Sequence, residues 1–551
     1  MSLFTSIAAT VSLLLLGKLV FSLLQFWIAP YLSPLRKLPG PPAKHWYFGW
    51  TTPDVMFGLS ANISQKHEEY GTVFYGRGIH RVPTLYIADE VAANYVFQNQ
   101  FSSNNPELFR QVPFLVRAAR AYFGSTILGV EEDVHRRQRR AMLPAFTESS
   151  VRQASPVMYE VTQDLMDLMR KDLAGKAEYT QTDALIYVRD ATLDIMGRAG
   201  FGRDLGALNK KTTKLNKTFH GLVAMLTSPS YYALLRFRIP WIRYIGKYVS
   251  EEEVRFREFR KGIEDHADDL VKTAEHETKS GYAEEDRNVL RLIKRNSANG
   301  FSDKELREAV PIMLLAGYET SATTIAWAIH VLRRDVEGLK RQARLRAELN
   351  ADEFQGWQSD FSVLNGMPYL DAVCTEVLRL YPAIASINRI CWQDTVIPLS
   401  RPITLRDGTT TDKVPIKKGE YIYISAASVN RNASVWGKNA NEFLPERWLR
   451  DDHIYFDASL VSNNNSQLGG WNRLMTFGQG LRMCLGFRFA LAEFKILLAY
   501  CIANFDWQAA IDAKSGKSVE IESRGQNINK TAIKGAERNQ YSLPVLVKEI
   551  K

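Results

Sequence analysis

Hydrophobic positions along the chain fall into three textures. From Leu3 to Leu35 they run almost without interruption, with Lys18 the single charge. A bilayer core takes about 20 apolar residues as helix, so residues 1–35 read as a transmembrane anchor. A lysine at mid-bilayer costs roughly 3 kcal/mol on insertion scales. The Leu-rich flanks Leu13 to Leu16 and Val20 to Leu24 outweigh it; the alternative is a helix lying partly in the interface. No basic stretch precedes the segment and no small-residue cleavage site follows it, which argues against a removed signal peptide. Arg36, Lys37 and Lys44 come next, and positive charge on the inner side places the rest of the chain in the cytosol.

The second texture is short period-2 alternation, at Thr72–Tyr75, Thr84–Ala88, Pro382–Asn388, Pro398–Ile424 and Ala510–Lys551. Turn signals at Arg406-Asp407-Gly408 and Lys418-Gly419 divide the fourth of these. The third texture is helical. Residues 150–300 are helical and charged, with a softer apolar patch from Leu222 to Ile245 that core packing explains. Ser302-Asp303-Lys304-Glu305 is a capping box opening a helix to about Leu332, with Pro311 expected to kink its first half. Pro368-Tyr369 starts another, and Phe487–Ala503 is apolar and helical. The fold class is therefore mainly α with small β-sheets. Between anchor and body stands Leu38-Pro39-Gly40-Pro41-Pro42, which cannot continue a helix and stiffens the exit. Residues 36–46 read as a basic, proline-rich hinge and residues 47–551 as the main body.

Composition narrows the function. With 46% hydrophobic and 24% charged residues the 551-residue chain is an ordinary globular protein, not a disordered or fibrous one. A net charge of +10 favours acidic partners or an anionic membrane surface. No zinc-finger spacing or aromatic-basic RNA motif supports a nucleic-acid partner. Four cysteines, Cys374, Cys391, Cys484 and Cys501, fit neither a zinc site nor a disulfide framework. Gly76-Arg77-Gly78 begins like a dinucleotide fingerprint but lacks the third glycine, so no bound NADPH or flavin is expected. Asn62, Asn216 and Asn529 head glycosylation sequons that stay bare if the body is cytosolic.

The candidate chemistry begins at Phe477-Gly478-Gln479-Gly480-Leu481-Arg482-Met483-Cys484-Leu485-Gly486. Its glycines allow a tight loop. Cys484 precedes an apolar helix, whose dipole and free N–H groups favour a thiolate suited to a soft or redox-active metal. Arg482 offers a fork for a carboxylate. A structural cysteine in a Gly-rich loop is the competing reading. Upstream, Ala316-Gly317-Tyr318-Glu319-Thr320 places a glycine inside a long helix, at about 1 kcal/mol relative to alanine. The glycine lets the helix open a groove, where Thr320 can exchange a proton that Glu319 feeds. His135 and Arg139 share one face of a basic helix. Arg136, Arg137 and Arg140 fall elsewhere on it and suit either docking of an acidic partner or plain solvation.

The loop around Cys484 resembles the haem loop of the cytochrome P450 family at every fixed position, and the similarity extends from Pro39 to the C-terminus. The resemblance implies the P450 fold, a triangular helical prism around haem b, with Cys484 as the axial thiolate, which favours O–O cleavage. Phe477, Gly478 and Gly486 shape that loop. Arg482, Arg389, Arg139 and His135 take the propionate-binding positions, with histidine standing where the family usually has tryptophan. Gly317, Glu319 and Thr320 match the oxygen-activation signature, with Tyr318 where histidine is frequent. Glu376, Arg379 and Arg447 match the E-x-x-R and P-E-R motifs, a buried charge network of structural role. Thr531 to Ile533 are placed near the substrate. The implied function is a monooxygenase of eukaryotic microsomal type, similar to fungal members of secondary metabolism. It is expected to be single-pass in the endoplasmic reticulum and in contact with membrane lipid. O2 is cosubstrate, and electrons come from an NADPH–cytochrome reductase or cytochrome b5. The substrate is expected to be a lipophilic small molecule, terpenoid or sterol. A reductase-independent thiolate-haem isomerase or dehydratase and a haem sensor are the alternatives; the intact Gly317-Glu319-Thr320 set argues against the first.

Overall fold

The computed structural model describes residues 27–52, 59–78, 81–100, 107–209, 288–295, 301–449, 474–525, 528–537 and 540–550, with scattered positions in 7–20, at 55 and in 250–272. In chain order the elements are α1 (Leu59–Tyr70), β1 (Val73–Arg77), β2 (Pro83–Ile87), α2 (Glu90–Gln98), β3 (Phe109–Arg110), α3 (Pro113–Phe123), α4 (Glu132–Met142), α5 (Glu148–Leu173), β4 (Thr180–Asp183) and α6 (Ala184–Ile195). There follow α7 (Asp303–Arg333), α8 (Val336–Leu349), α9 (Pro368–Leu380), β5 (Ser386–Cys391), β6 (Thr395–Thr404), β7 (Thr410–Ile416) and β8 (Tyr421–Ser425). The chain closes with α10 (Phe487–Asn504), β9 (Phe505–Ala509), β10 (Ile521–Arg524), β11 (Lys530–Ile533) and β12 (Pro544–Glu549), with shorter helical turns between these elements. The protein is mainly α with small sheets.

Two compact units emerge. One comprises Met1–Val112, Ser386–Asn432 and Gln479–Leu481; the other comprises Pro113–Ala385, Ala433–Gly478 and Arg482–Lys551. The first carries a five-stranded sheet in the order β1-β2-β8-β5-β3 and the two-stranded β6-β7 ribbon. β1 and β2 form an antiparallel hairpin, so Gly76 and Gly78 open no helix, as a dinucleotide site would require. Gly76 is small for another reason: a Cβ there would lie 2.4 Å from Trp50 Nε1.

The proline-rich segment is docked instead of hanging free as a linker. Leu35 and Leu38 are buried, Tyr75 N–H donates to Pro39 O (2.9 Å), and Arg406 Nε donates to Leu38 O (2.8 Å). A Cβ on Gly40 would sit 1.9 Å from Tyr75 O. Among the described residues no helix is long and apolar enough to cross a membrane. Most of the predicted anchor lies outside the described residues, which include a helical stretch at 27–32. The Leu222–Ile245 patch also lies outside them.

The second unit is built around α7 and α10. α10 is buried without a break from Ala492 to Ile502, as an all-round apolar helix must be. α7 runs 31 residues and is closed at its start by the predicted capping box between Ser302 and Glu305. It continues through Pro311 as one helix. The C-terminal residues make two sheets where the alternation suggested one: β12 joins β4 and β9, and β10 pairs with β11.

Candidate active site

The loop before α10 turns on two glycines in the left-handed region, Gly478 (φ +67°) and Gly480 (φ +68°), where a side chain is strained. Cys484 N–H donates to Phe477 O (2.8 Å) and closes the loop. Phe477 packs on the core and against the Phe487 ring at the head of α10 (6.0 Å between centroids), and Gly486 caps that helix. Cys484 keeps exposed surface; desolvation at its sulfur outweighs the Gly486 N–H and the Arg139 charge and pushes the thiol up. Only a thiolate ligates metal, so a metal at this sulfur displaces that proton.

Three basic side chains converge beside the loop. Arg139 Nη1, from α4, donates to Met483 O (2.7 Å). Arg482 donates to Val130 O (2.8 Å) and Ile127 O (3.3 Å), just before α4. His135, one turn before Arg139, is buried; that burial, with the charges of Arg482 and Arg139, lowers it to about 3. It is therefore neutral near pH 7 and can hold an anion through an N–H but not through charge. Among the described residues Arg139 pairs with no carboxylate. An exposed cysteine with two guanidiniums and a neutral imidazole at its loop is a donor set that would suit haem, a thiol for the iron and cations for the propionates.

The other arginines of α4 divide. Arg137 forks onto Glu305 at the start of α7 (Nη2–Oε1 2.5 Å, Nη1–Oε2 3.1 Å), joined by Gln138 (3.1 Å). It braces α4 to the start of α7 while its side chain stays partly exposed. Arg136 pairs with Asp133 (3.3 Å), and Arg140 is exposed. Arg389 lies on β5 of the other unit, buried, with its guanidinium 5.9 Å from the Phe97 ring centroid.

α7 is buried along most of its length, yet Ala316 is exposed and Gly317 and Thr320 are half-buried. Ala316 and Thr320 share a face, so the helix presents an accessible patch in the middle of a core element. Thr320 Oγ1 donates back to Ala316 O (2.5 Å). Gly317 leaves room for a neighbour: a Cβ would lie 2.3 Å from Met196 Sδ. Glu319 is buried and ion-paired with Lys530 of β11. No motif pointed to Lys530; the only available cue was that a buried acid needs a counter-charge. Thr531 and Ala532 are fully buried and Ile533 half-buried.

Glu376, Arg379 and Arg447 meet in the core. Glu376 accepts from Arg379 Nε (2.8 Å) and Nη2 (2.7 Å), Arg447 Nε (2.9 Å), Leu444 N (3.0 Å) and Trp448 Nε1 (2.9 Å). Burial pushes this carboxyl up, but the two guanidiniums and the Leu444 N–H more than reverse it and leave it below its usual range.

The family model "Cytochrome P450" matches residues 39–520. The chain is 30% identical to cytochrome P450 monooxygenase 128 of Postia placenta, over 97% of this chain and 96% of that protein. It is 29% identical to cytochrome P450 monooxygenase claP of Ampulloclitocybe clavipes, over 97% and 96%. It is 30% identical to cytochrome P450 monooxygenase 205 of Postia placenta, over 94% and 93%.

Proposed function

The chain belongs to the cytochrome P450 family as a monooxygenase, and on that premise we propose that it oxidises a lipophilic secondary metabolite, a terpenoid or sterol, with electrons from NADPH relayed by a reductase. The observation that carries this reading is the accessible patch at Ala316 and Thr320 inside an otherwise buried helix, an opening suited to an apolar molecule beside a hydroxyl.

When bound, haem b supplies the oxygen activation and the oxidising power. Cys484 Sγ would ligate its iron. Arg139 and Arg482 would hold the propionates by charge and His135 by an N–H; Arg389 would join them on its motif position alone. Gly317 lets Met196 pack close to α7 and so shapes the wall beside Thr320. Thr320 Oγ1 passes a proton toward the reacting oxygen, and Glu319 resupplies it through water. Glu376, Arg379 and Arg447 lock the meander that leads to the cysteine loop. Arg136 and Arg140 offer charge to an acidic reductase, with cytochrome b5 as a second donor. Residues 1–35 anchor the protein in the endoplasmic reticulum, the 36–46 segment seats the exit, and residues 47–551 form the catalytic body on the cytosolic side.

The test is turnover of candidate lipophiles under 18O2 with reductase and NADPH. One labelled oxygen per product is expected. Product formed without NADPH, or unlabelled, would contradict the proposal and favour an isomerase or dehydratase.

A further inference from the structure

Glu319 and Thr320 are neighbours on α7, but their surroundings differ. Thr320 belongs to the accessible face. The Glu319 side chain is 6% exposed and the Lys530 side chain that meets it 5%, so the pair is enclosed. Lys530 is the first residue of β11 and is set in place by its predecessor. Asn529 O accepts from Trp327 Nε1 (2.7 Å), further along α7, and Asn529 N–H donates to Ala383 O (2.8 Å). The β10–β11 pairing sets Lys530 opposite Arg524. The ammonium also lies 4.7 Å from the Tyr541 ring centroid, within cation–π range. From the side of α6, Thr192 Oγ1 donates to Tyr318 O (3.1 Å), and Tyr318 feels the charges of Glu319, Arg189 and Asp190.

Enclosing an ammonium and a carboxylate costs desolvation that their attraction only roughly offsets, and two apolar side chains would often serve stability as well or better. Stability alone is thus a weak reason for such a pair one residue from Thr320. We propose that Lys530 is a positioning residue for proton delivery: its ammonium holds the Glu319 carboxylate in place, so that it relays protons toward Thr320. This rests on the reading of Glu319 as the proton feeder. Without the ammonium, a buried carboxylate has no counter-charge and takes up a proton.

The experiment uses the full-length holoenzyme as wild type, K530M, K530Q, K530R, E319Q and K530M/E319Q, with haem content checked in each. Infrared spectra of the resting proteins are expected to show a protonated-carboxyl band in K530M and K530Q, but not in wild type, K530R or the double variant. Product per NADPH is expected to fall roughly tenfold in K530M, below the ~100-fold floor for general acid catalysis because water substitutes in part. K530R should recover most of it, and K530M/E319Q should be no worse than E319Q alone. Normal coupling in K530M beside an uncoupled E319Q would overturn the proposal, as would the absence of a new band in folded K530M and K530Q. Normal coupling in E319Q would instead overturn the proton-feeder reading on which it rests, whatever the infrared shows.

Discussion

Two carboxylates on long helices, Glu376 and Glu319, are both buried and both paired with cations, yet they are built for different ends. Glu376 is saturated: five N–H donors from two arginines, a tryptophan and the backbone surround it, and Arg379 also ties down Ala440 O (2.6 Å) and Glu442 O (3.1 Å). No proton can be added there without losing several bonds at once. Glu319 is enclosed with one cation, the Lys530 ammonium, and has the Tyr318 side chain beside it, so a proton can come and go there with fewer bonds at stake. The first arrangement suits a lock and the second a relay.

The comparison breaks most visibly at Arg379. Arg379→Met leaves Glu376 half-compensated in the core, and a loss of about 3–5 kcal/mol is expected in denaturant unfolding. A loss below about 1 kcal/mol would mean that the network is no lock. A third carboxylate sharpens the contrast from the other side. Glu493 on α10 is fully buried, and among the described residues no cation pairs with it. Burial, only partly opposed by the Ser321 hydroxyl, pushes it up to about 8. Its folded value is raised above the unfolded one, so its contribution is fully present at low pH and fades as pH rises toward about 8. Relative to Glu493→Gln, wild type should lose stability by roughly 2–4 kcal/mol between pH 5 and 8; parallel pH profiles would show that this acid is already ionised.

Lys530→Met should cost less than Arg379→Met, about 1–3 kcal/mol, because Glu319 can neutralise itself. The apolar pair K530M/E319M should recover most of that loss, and thermal unfolding of the two variants checks both statements. A loss as large as that of Arg379→Met, with no recovery in the double variant, would make the two sites alike. The smallest effect expected is at Gly317→Ala, about 1 kcal/mol from crowding against the flexible Met196 side chain. Met196→Ala in the same chain should relieve it.

What the sequence made legible is what is local. The Ser302–Glu305 capping box, the Glu376–Arg379 pair and the Gly-Cys loop each span a few residues, so their geometry is written in their spacing. Long-range partners leave no such mark. Nothing near Lys530 says that it meets Glu319, nothing near Met196 says that it fills the space at Gly317, and the Arg137 brace to Glu305 could be told from a solvated basic face only by the fold. The docked proline segment depends on Arg406 and Tyr75, both distant in the chain.

The central claim is that Cys484 ligates haem iron as a thiolate in the cradle of His135, Arg139 and Arg482. The most direct test is the carbon-monoxide difference spectrum of the reduced, purified protein. The account predicts the strongly red-shifted Soret band of thiolate-ligated haem, lost in Cys484→Ala. A band at the position of histidine-ligated haem in freshly prepared wild-type protein, or no haem signal from well-folded protein, would contradict it.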